Sequence, residues 1–145
     1  MPNTVSTLTV LYVEDEESDR FLMAFAFEKQ GLAGALRMVD NGQAAIDYLS
    51  GTAAFSRRDR HPLPAMVLLD LNLPEVHGFD VLKWIRAHPL HSALPVVVFS
   101  SSMREEDRAR AFELGANEFV QKPNSPALFR EIARNLYDRW GKRVN

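Results

Sequence analysis

The sequence predicts an α/β domain built as a doubly wound, five-stranded parallel sheet, and three observations lead there. Short aliphatic runs alternate with longer segments of 3.6-residue apolar spacing from one end of the chain to the other. Two of the runs, MVLL and VVVF, are apolar without interruption, as in strands buried on both faces. Parallel neighbours need crossover connections, and the intervening helical segments supply them and must cover both faces of the sheet.

The elements follow in order. Leu8 to Val13, Leu36 to Val39, Ala65 to Leu69, Val96 to Phe99 and Glu118 to Val120 read as the five strands. The first helix opens on Glu16, Glu17, Ser18 and Asp19, acids suited to a positive helix end, and lines Phe21, Leu22, Phe25 and Ala26 on one face. Ala44, Ala45, Tyr48 and Leu49 mark a second helix; Val81, Leu82, Trp84 and Ile85 a third, stopped by Pro89. Ala109, Phe112 and Leu114 mark a fourth, ended by Gly115 and capped by Ser101 or Ser102; Leu128, Ile132 and Leu136 mark a fifth, capped by Asn124 or Ser125 with Pro126 in its first turn. This order uses residues 1–145 and predicts one domain with no output domain, Tyr137 to Asn145 being a helix end and short tail. The long loop from Ser50 to Pro64, with Arg57, Arg58, Arg60 and His61, reads as a solvated excursion, the alternative being a loop that contacts a partner or phosphate.

Composition narrows the function. Seventeen Lys and Arg against nineteen Asp and Glu give a net charge of −2, without the concentrated positive charge that direct DNA binding needs. The absence of cysteine removes disulfides, thiolate zinc sites and thiol catalysis. The start of the chain, Met1 to Thr9, is polar and lacks a leader pattern, and no run approaches the ~20 apolar residues of a membrane span, so a cytoplasmic protein without membrane contact is expected.

Ligands of doubly wound sheets sit beyond the carboxyl ends of the strands. The residues found there form a set: Glu14 and Asp15, then Asp70 and Asn72, then Ser100 and Ser101, then Lys122 and Pro123. Three clustered carboxylates repel one another unless they share a cation, and Mg²⁺ suits few carboxylates plus water and phosphate oxygens. That leaves one carboxylate to attack phosphorus, and Asp70 is best placed because it ends the most apolar strand. Lys122 can neutralise the transferring phosphoryl oxygens, and Ser100 can donate a hydrogen bond to one of them. Singly, each of these residues is an ordinary cap or turn residue; the joint spacing is what points to chemistry. His88 and His91, in HPLH, offer no second ligand pair for a transition metal; His61 and His77 read as isolated and exposed; Trp84 and Trp140 read as packing or interface residues.

The stretches LYVEDE, LLDLNLPEVHGFD, PVVVFSSS and GANEFVQKP resemble the receiver domain of two-component response regulators, in order and over nearly the whole chain. The resemblance implies a flavodoxin-like (βα)₅ fold with strand order 2-1-3-4-5 and Asp70 as acceptor of phosphate from a histidine kinase. It also implies a Mg²⁺ site with Asp15, Asp70 and the Asn72 carbonyl as direct ligands and Glu14 acting through water. Ser100 takes the switch hydroxyl position, Phe119 the switch aromatic and Lys122 the family's lysine, with a cis bond before Pro123. Ser101 stands where Ala or Gly is usual, and Phe119 replaces the commoner Tyr, so a switch would rest on burial and rotamer change. The wording VEDEESD, NGQAAIDYLSG and LDLNLPEVHGFDVL is similar to single-domain regulators that partner bacterial phytochrome kinases. Signal would then leave through a downstream protein or phosphotransfer partner.

Apolar residues on more than one face of the last helix suggest a homodimer through the fourth and fifth helices, or else a broad core face. Two other functions compete. A Mg²⁺-dependent phosphohydrolase of small substrates would want an acid two residues after its nucleophile, where Asn72 stands. A binding module independent of phosphate, or a flavin carrier, would not need the acidic pair with Asp70 and Lys122, and no glycine-rich phosphate loop follows the first strand.

Overall fold

A computed structural model describes residues 8–141. The polar stretch 1–7 and the tail 142–145 lie outside the described residues. The strands are β1 (Val10–Val13), β2 (Leu36–Val39), β3 (Met66–Leu69), β4 (Val96–Ser100) and β5 (Glu118–Gln121). The helices are α1 (Glu17–Lys29), α2 (Gly42–Ser50), α3 (Gly78–Ala87), α4 (Glu105–Glu113) and α5 (Pro126–Leu136), followed by a π-helical turn, Tyr137–Gly141. All neighbours pair parallel in the order β2-β1-β3-β4-β5, with Val10 opposite Leu36 and Met66, and Val97 opposite Glu118. Both the flavodoxin-like order and the parallel pairing match the sequence expectation.

The two-residue period of the strands divides the core. Leu11, Val13, Val67, Leu69, Val96 and Val98 face α2, α3 and α4, where they meet Ala45, Leu49, Val81, Ile85 and Ala111. Val10, Tyr12, Met66, Leu68, Val97 and Phe99 face α1 and α5, where they meet Met23, Phe27, Phe129 and Leu136. β1, β3 and β4 are buried at every position, which is why their sequences carry no polar alternation. β2, β4 and β5 start where the apolar runs do, whereas β3 starts one residue later and β1 two: Leu8 and Thr9 precede β1, although the Thr9 carbonyl accepts from the Ala65 amide at 2.7 Å.

Local chemistry sets the helix ends. Asn41 Oδ1 accepts from the Ala44 amide at 2.8 Å, Ser125 Oγ from Leu128, and His77 Nδ1 from Phe79 at 3.1 Å. His77 is thus a half-buried cap and not an isolated exposed histidine. Arg104 precedes α4 without a side-chain cap; Ser102 acts one step removed, its Oγ accepting from the Arg104 amide at 3.2 Å and donating to Asp107 at 2.6 Å. Gly115, at φ +105°, turns the chain out of α4.

The Ser50–Pro64 loop is more ordered than its arginines suggest. Arg58 donates to the Tyr48 and Leu49 carbonyls at the end of α2 at 2.7 and 2.8 Å and to the His61 carbonyl at 3.1 Å, tying the loop to a helix end whose carbonyls also meet the Gly51 amide and the His91 ring. His61 is half-buried against Tyr48 and Phe55. Ile132 on α5 and Trp140 in the turn after it pack partly against the core, leaving Leu128 as the exposed large apolar residue of α5. No helix among the described residues is long and apolar enough to cross a membrane.

Candidate functional site

The strands stop at one edge of the sheet, and the residues that follow them build the site. Glu14 and Asp15 extend from β1, and Asp70 from β3, the middle strand of the five. Suitable ligand atoms of Glu14, Asp15 and Asp70 lie within 4.8 Å of one another. Glu14 is fully buried, Asp70 nearly so, and Asp15 is exposed. The Asp70 amide is held by the Val13 carbonyl at 3.1 Å, and Asp70 Oδ1 accepts from the Leu71 amide at 2.9 Å. Gly78 is required here: a Cβ at that position would collide with the Asp70 carbonyl oxygen, so only glycine lets α3 start against the loop that follows β3.

Lys122, directly after β5, reaches into the acids. Its Nζ lies 2.6 Å from Glu14 Oε1, 2.8 Å from Asp19 Oδ2 and 3.7 Å from Asp70 Oδ1. Glu14 also accepts from the buried Tyr12 hydroxyl at 3.0 Å and from the Glu16 amide at 3.2 Å. Burial pushes the Glu14 carboxyl up to about 7 against the pull of Lys122, and burial likewise raises Asp70. Hydrogen bonds to Asp19 and Glu14 hold the Lys122 ammonium charged despite its burial. The acids are therefore poised to gain from a positive charge that neither Lys122 nor solvent fully supplies.

Ser100 closes β4 at the same edge, fully buried. Its Oγ accepts from the Ser102 amide at 3.0 Å, and its carbonyl accepts from the Lys122 amide at 2.8 Å, tying the loops after β4 and β5 together. Asn72 is exposed in the loop before α3. Phe119 lies in β5, half-buried against the α2–α4 side of the core, with the Arg108 guanidinium 5.9 Å from its ring centre. One expectation is corrected: the bond before Pro123 is trans, as are all peptide bonds among the described residues, in line with the intrinsic trans preference of an X–Pro bond.

Three contributors escape a reading of strand ends. Tyr12 sits within β1, Arg20 donates to the Glu14 carbonyl at 2.9 Å from α1, and Asp19 joins Lys122 from the first turn of α1. For Asp19 the sequence offers only its place among the acids that open α1, which the helix dipole already explains.

Comparison with known proteins agrees with this geometry. The family model of the response regulator receiver domain matches residues 10–134. The probable methanogenesis regulatory protein FilR2 of Methanothrix harundinacea is 35% identical over 131 residues, 90% of this chain and 82% of that one. The phosphorylated cyanobacterial phytochrome response regulator RcpA superposes with a TM-score of 0.85 at 27% identity, covering 93% of this chain and 94% of that one. The Mn²⁺-bound form of the response regulator Rcp1, a protein of Synechocystis sp., superposes at 0.82 with 28% identity over 95% and 97% of the chains.

Proposed function

Because this chain belongs to the response regulator receiver domain family, we propose that it accepts a phosphoryl group on Asp70 from a histidine kinase, holds it temporarily and loses it slowly to water. The observation that carries this reading is the pairing at the carboxyl edge of β3: a nearly buried carboxylate flanked by two further acids, with an ammonium 3.7 Å away. In the transfer, the bond from the kinase histidine nitrogen to phosphorus breaks as an Asp70 carboxylate oxygen bonds to phosphorus. Lys122 offsets charge on the phosphoryl oxygens, and Ser100 donates a hydrogen bond to one of them.

The three clustered carboxylates fit a hard divalent cation, since burial already penalises the charge of Glu14 and Asp70. Asp15, Asp70 and the Asn72 carbonyl would hold Mg²⁺ directly, and Glu14 through water. Bound there, the ion supplies positive charge to the acids and the incoming phosphoryl group. The Mn²⁺-bound state of the similar Rcp1 supports this reading.

Phosphorylation draws the Ser100 hydroxyl away from the Ser102 amide and frees space for Phe119 to rotate inward, repacking the surface of α4 and β5. The output is a changed surface for a downstream protein, a phosphotransfer partner or a second copy of the chain; the near-neutral net charge does not favour DNA as the direct partner. Similarity to RcpA makes a phytochrome-type kinase the first donor to try. Phosphate carried on such a kinase should move to the wild-type chain, under red or far-red light according to the kinase, and not to Asp70→Asn. Label that persists on the Asp70→Asn chain would refute the assignment.

A further inference from the structure

Lys122 is placed by two carboxylates, and Asp19 is the one that the acidic trio does not contain. An ammonium has three N–H donors. Glu14 Oε1 at 2.6 Å and Asp19 Oδ2 at 2.8 Å each take one, whereas Asp70 Oδ1 at 3.7 Å lies beyond hydrogen-bonding range. The gap matters chemically. An ammonium resting directly on Asp70 would take up one of the carboxylate's lone pairs, lower its nucleophilicity and compete with a cation for that oxygen, while one held a short distance off can meet a phosphoryl oxygen once it arrives. The side chain of Lys122 is 9% exposed, so water does little to hold it there. Asp19 sits in the first turn of α1 and makes no other side-chain hydrogen bond or ion pair among the described residues.

Resting on the phosphoacceptor reading of Asp70, we propose that Asp19 is a positioning residue that holds Lys122 off the acceptor in the unphosphorylated protein. Removing its charge lets the ammonium swing onto Asp70 as a direct ion pair, which a divalent cation must then displace before transfer.

Two measurements test this. In a high-resolution crystal structure of the metal-free Asp19→Ala protein, Lys122 Nζ should close to hydrogen-bonding distance of an Asp70 carboxylate oxygen; an unchanged separation overturns the proposal. In the second, wild type and Asp19→Asn are phosphorylated with acetyl phosphate, the phosphorus–oxygen bond to the acetyl group breaking as the bond to Asp70 forms and acetate leaves. The Mg²⁺ concentration giving half-maximal rate should rise about three- to tenfold in Asp19→Asn, with the rate at saturating Mg²⁺ within about twofold of wild type. A merely structural role would depress the saturated rate as well, and that result counts against the proposal. Glu17→Gln removes the same charge from the same helix turn, at an exposed position with no contact to Lys122, and should leave the midpoint within about twofold; an equal shift there would reduce Asp19 to a general field effect and overturn the proposal. Wild type that takes no label would overturn the phosphoacceptor function, and the crystal distance would still decide the role of Asp19.

Discussion

Glu14 is the residue in which burial and pairing oppose each other most directly. It is fully buried and accepts from Tyr12, Lys122 and the Glu16 amide, yet its carboxyl is pushed up to about 7. A native carboxyl raised above its usual range binds a proton that the unfolded chain has already released, so it lowers stability as pH climbs through that window. His91, whose imidazole burial pushes down, acts in the opposite sense below its ordinary range, so the two must be separated. The thermal midpoint of metal-free wild type should fall relative to that of Glu14→Gln between about pH 4.5 and about pH 7 and then level off, and added Mg²⁺ should offset the loss. Parallel midpoints in the two proteins across that range would contradict the assignment. Glu14, Asp15, Asp70 and Lys122 were legible in the sequence because each falls within two residues of the end of an apolar run, and strand ends converge in a parallel sheet. Asp19 was not, because acids at a helix start already have a sufficient explanation in the helix dipole, and its reach to Lys122 depends on how α1 lies against β5.

At the scale of elements, periodicity located the five strands and five α-helices among the described residues but not every buried face, since Phe21 and Phe25, read onto one apolar face of α1, are exposed while Met23 and Phe27 are buried, and the loops were harder still. The arginines of the Ser50–Pro64 loop look solvated in sequence because nothing local shows that the carbonyls at the end of α2 need donors. Arg58 supplies two hydrogen bonds there and a third to the His61 carbonyl, and its guanidinium also lies 5.9 Å from the Tyr48 ring centre. Arg58→Ala should therefore cost about 1–3 kcal/mol in urea unfolding, whereas Arg57→Ala, which loses only an exposed ion pair with Asp59, should cost well under about 1 kcal/mol. Equal costs would return the loop to a solvated excursion. The last helix shows the same limit from the other side: its apolar residues spread over more than one face in sequence, but the π-helical turn lets Tyr137 pack edge-on to Phe27 and Trp140 reach Glu118, so part of that excess is internal.

For the whole molecule, strand order was legible only through the family resemblance, since hydrophobic runs identify strands without saying which are neighbours. The alternation of core residues between two helix layers then follows from the strand period. What the fold leaves uncovered bears on assembly: Met103 is 81% exposed before α4, with Phe112 on α4 and Leu128 on α5 also exposed. A homodimer through α4 and α5 should appear in light scattering as a higher mass after acetyl phosphate and Mg²⁺, and Phe112→Lys should return it to the monomer value. A mass that ignores both treatments would remove the dimer and leave a partner of another kind to read the switch.

The proposed function rests on one bond between phosphorus and a carboxylate oxygen at the tip of β3. Borohydride reduction of the acetyl-phosphate-treated protein followed by peptide mass spectrometry examines that bond directly, because an acyl phosphate is reduced to an alcohol at the residue that carried it. The modified residue should be Asp70, formed with Mg²⁺ and missing when the metal is chelated. Reduction at Asp15 or Glu14 in its place, or none at any residue, would contradict the account.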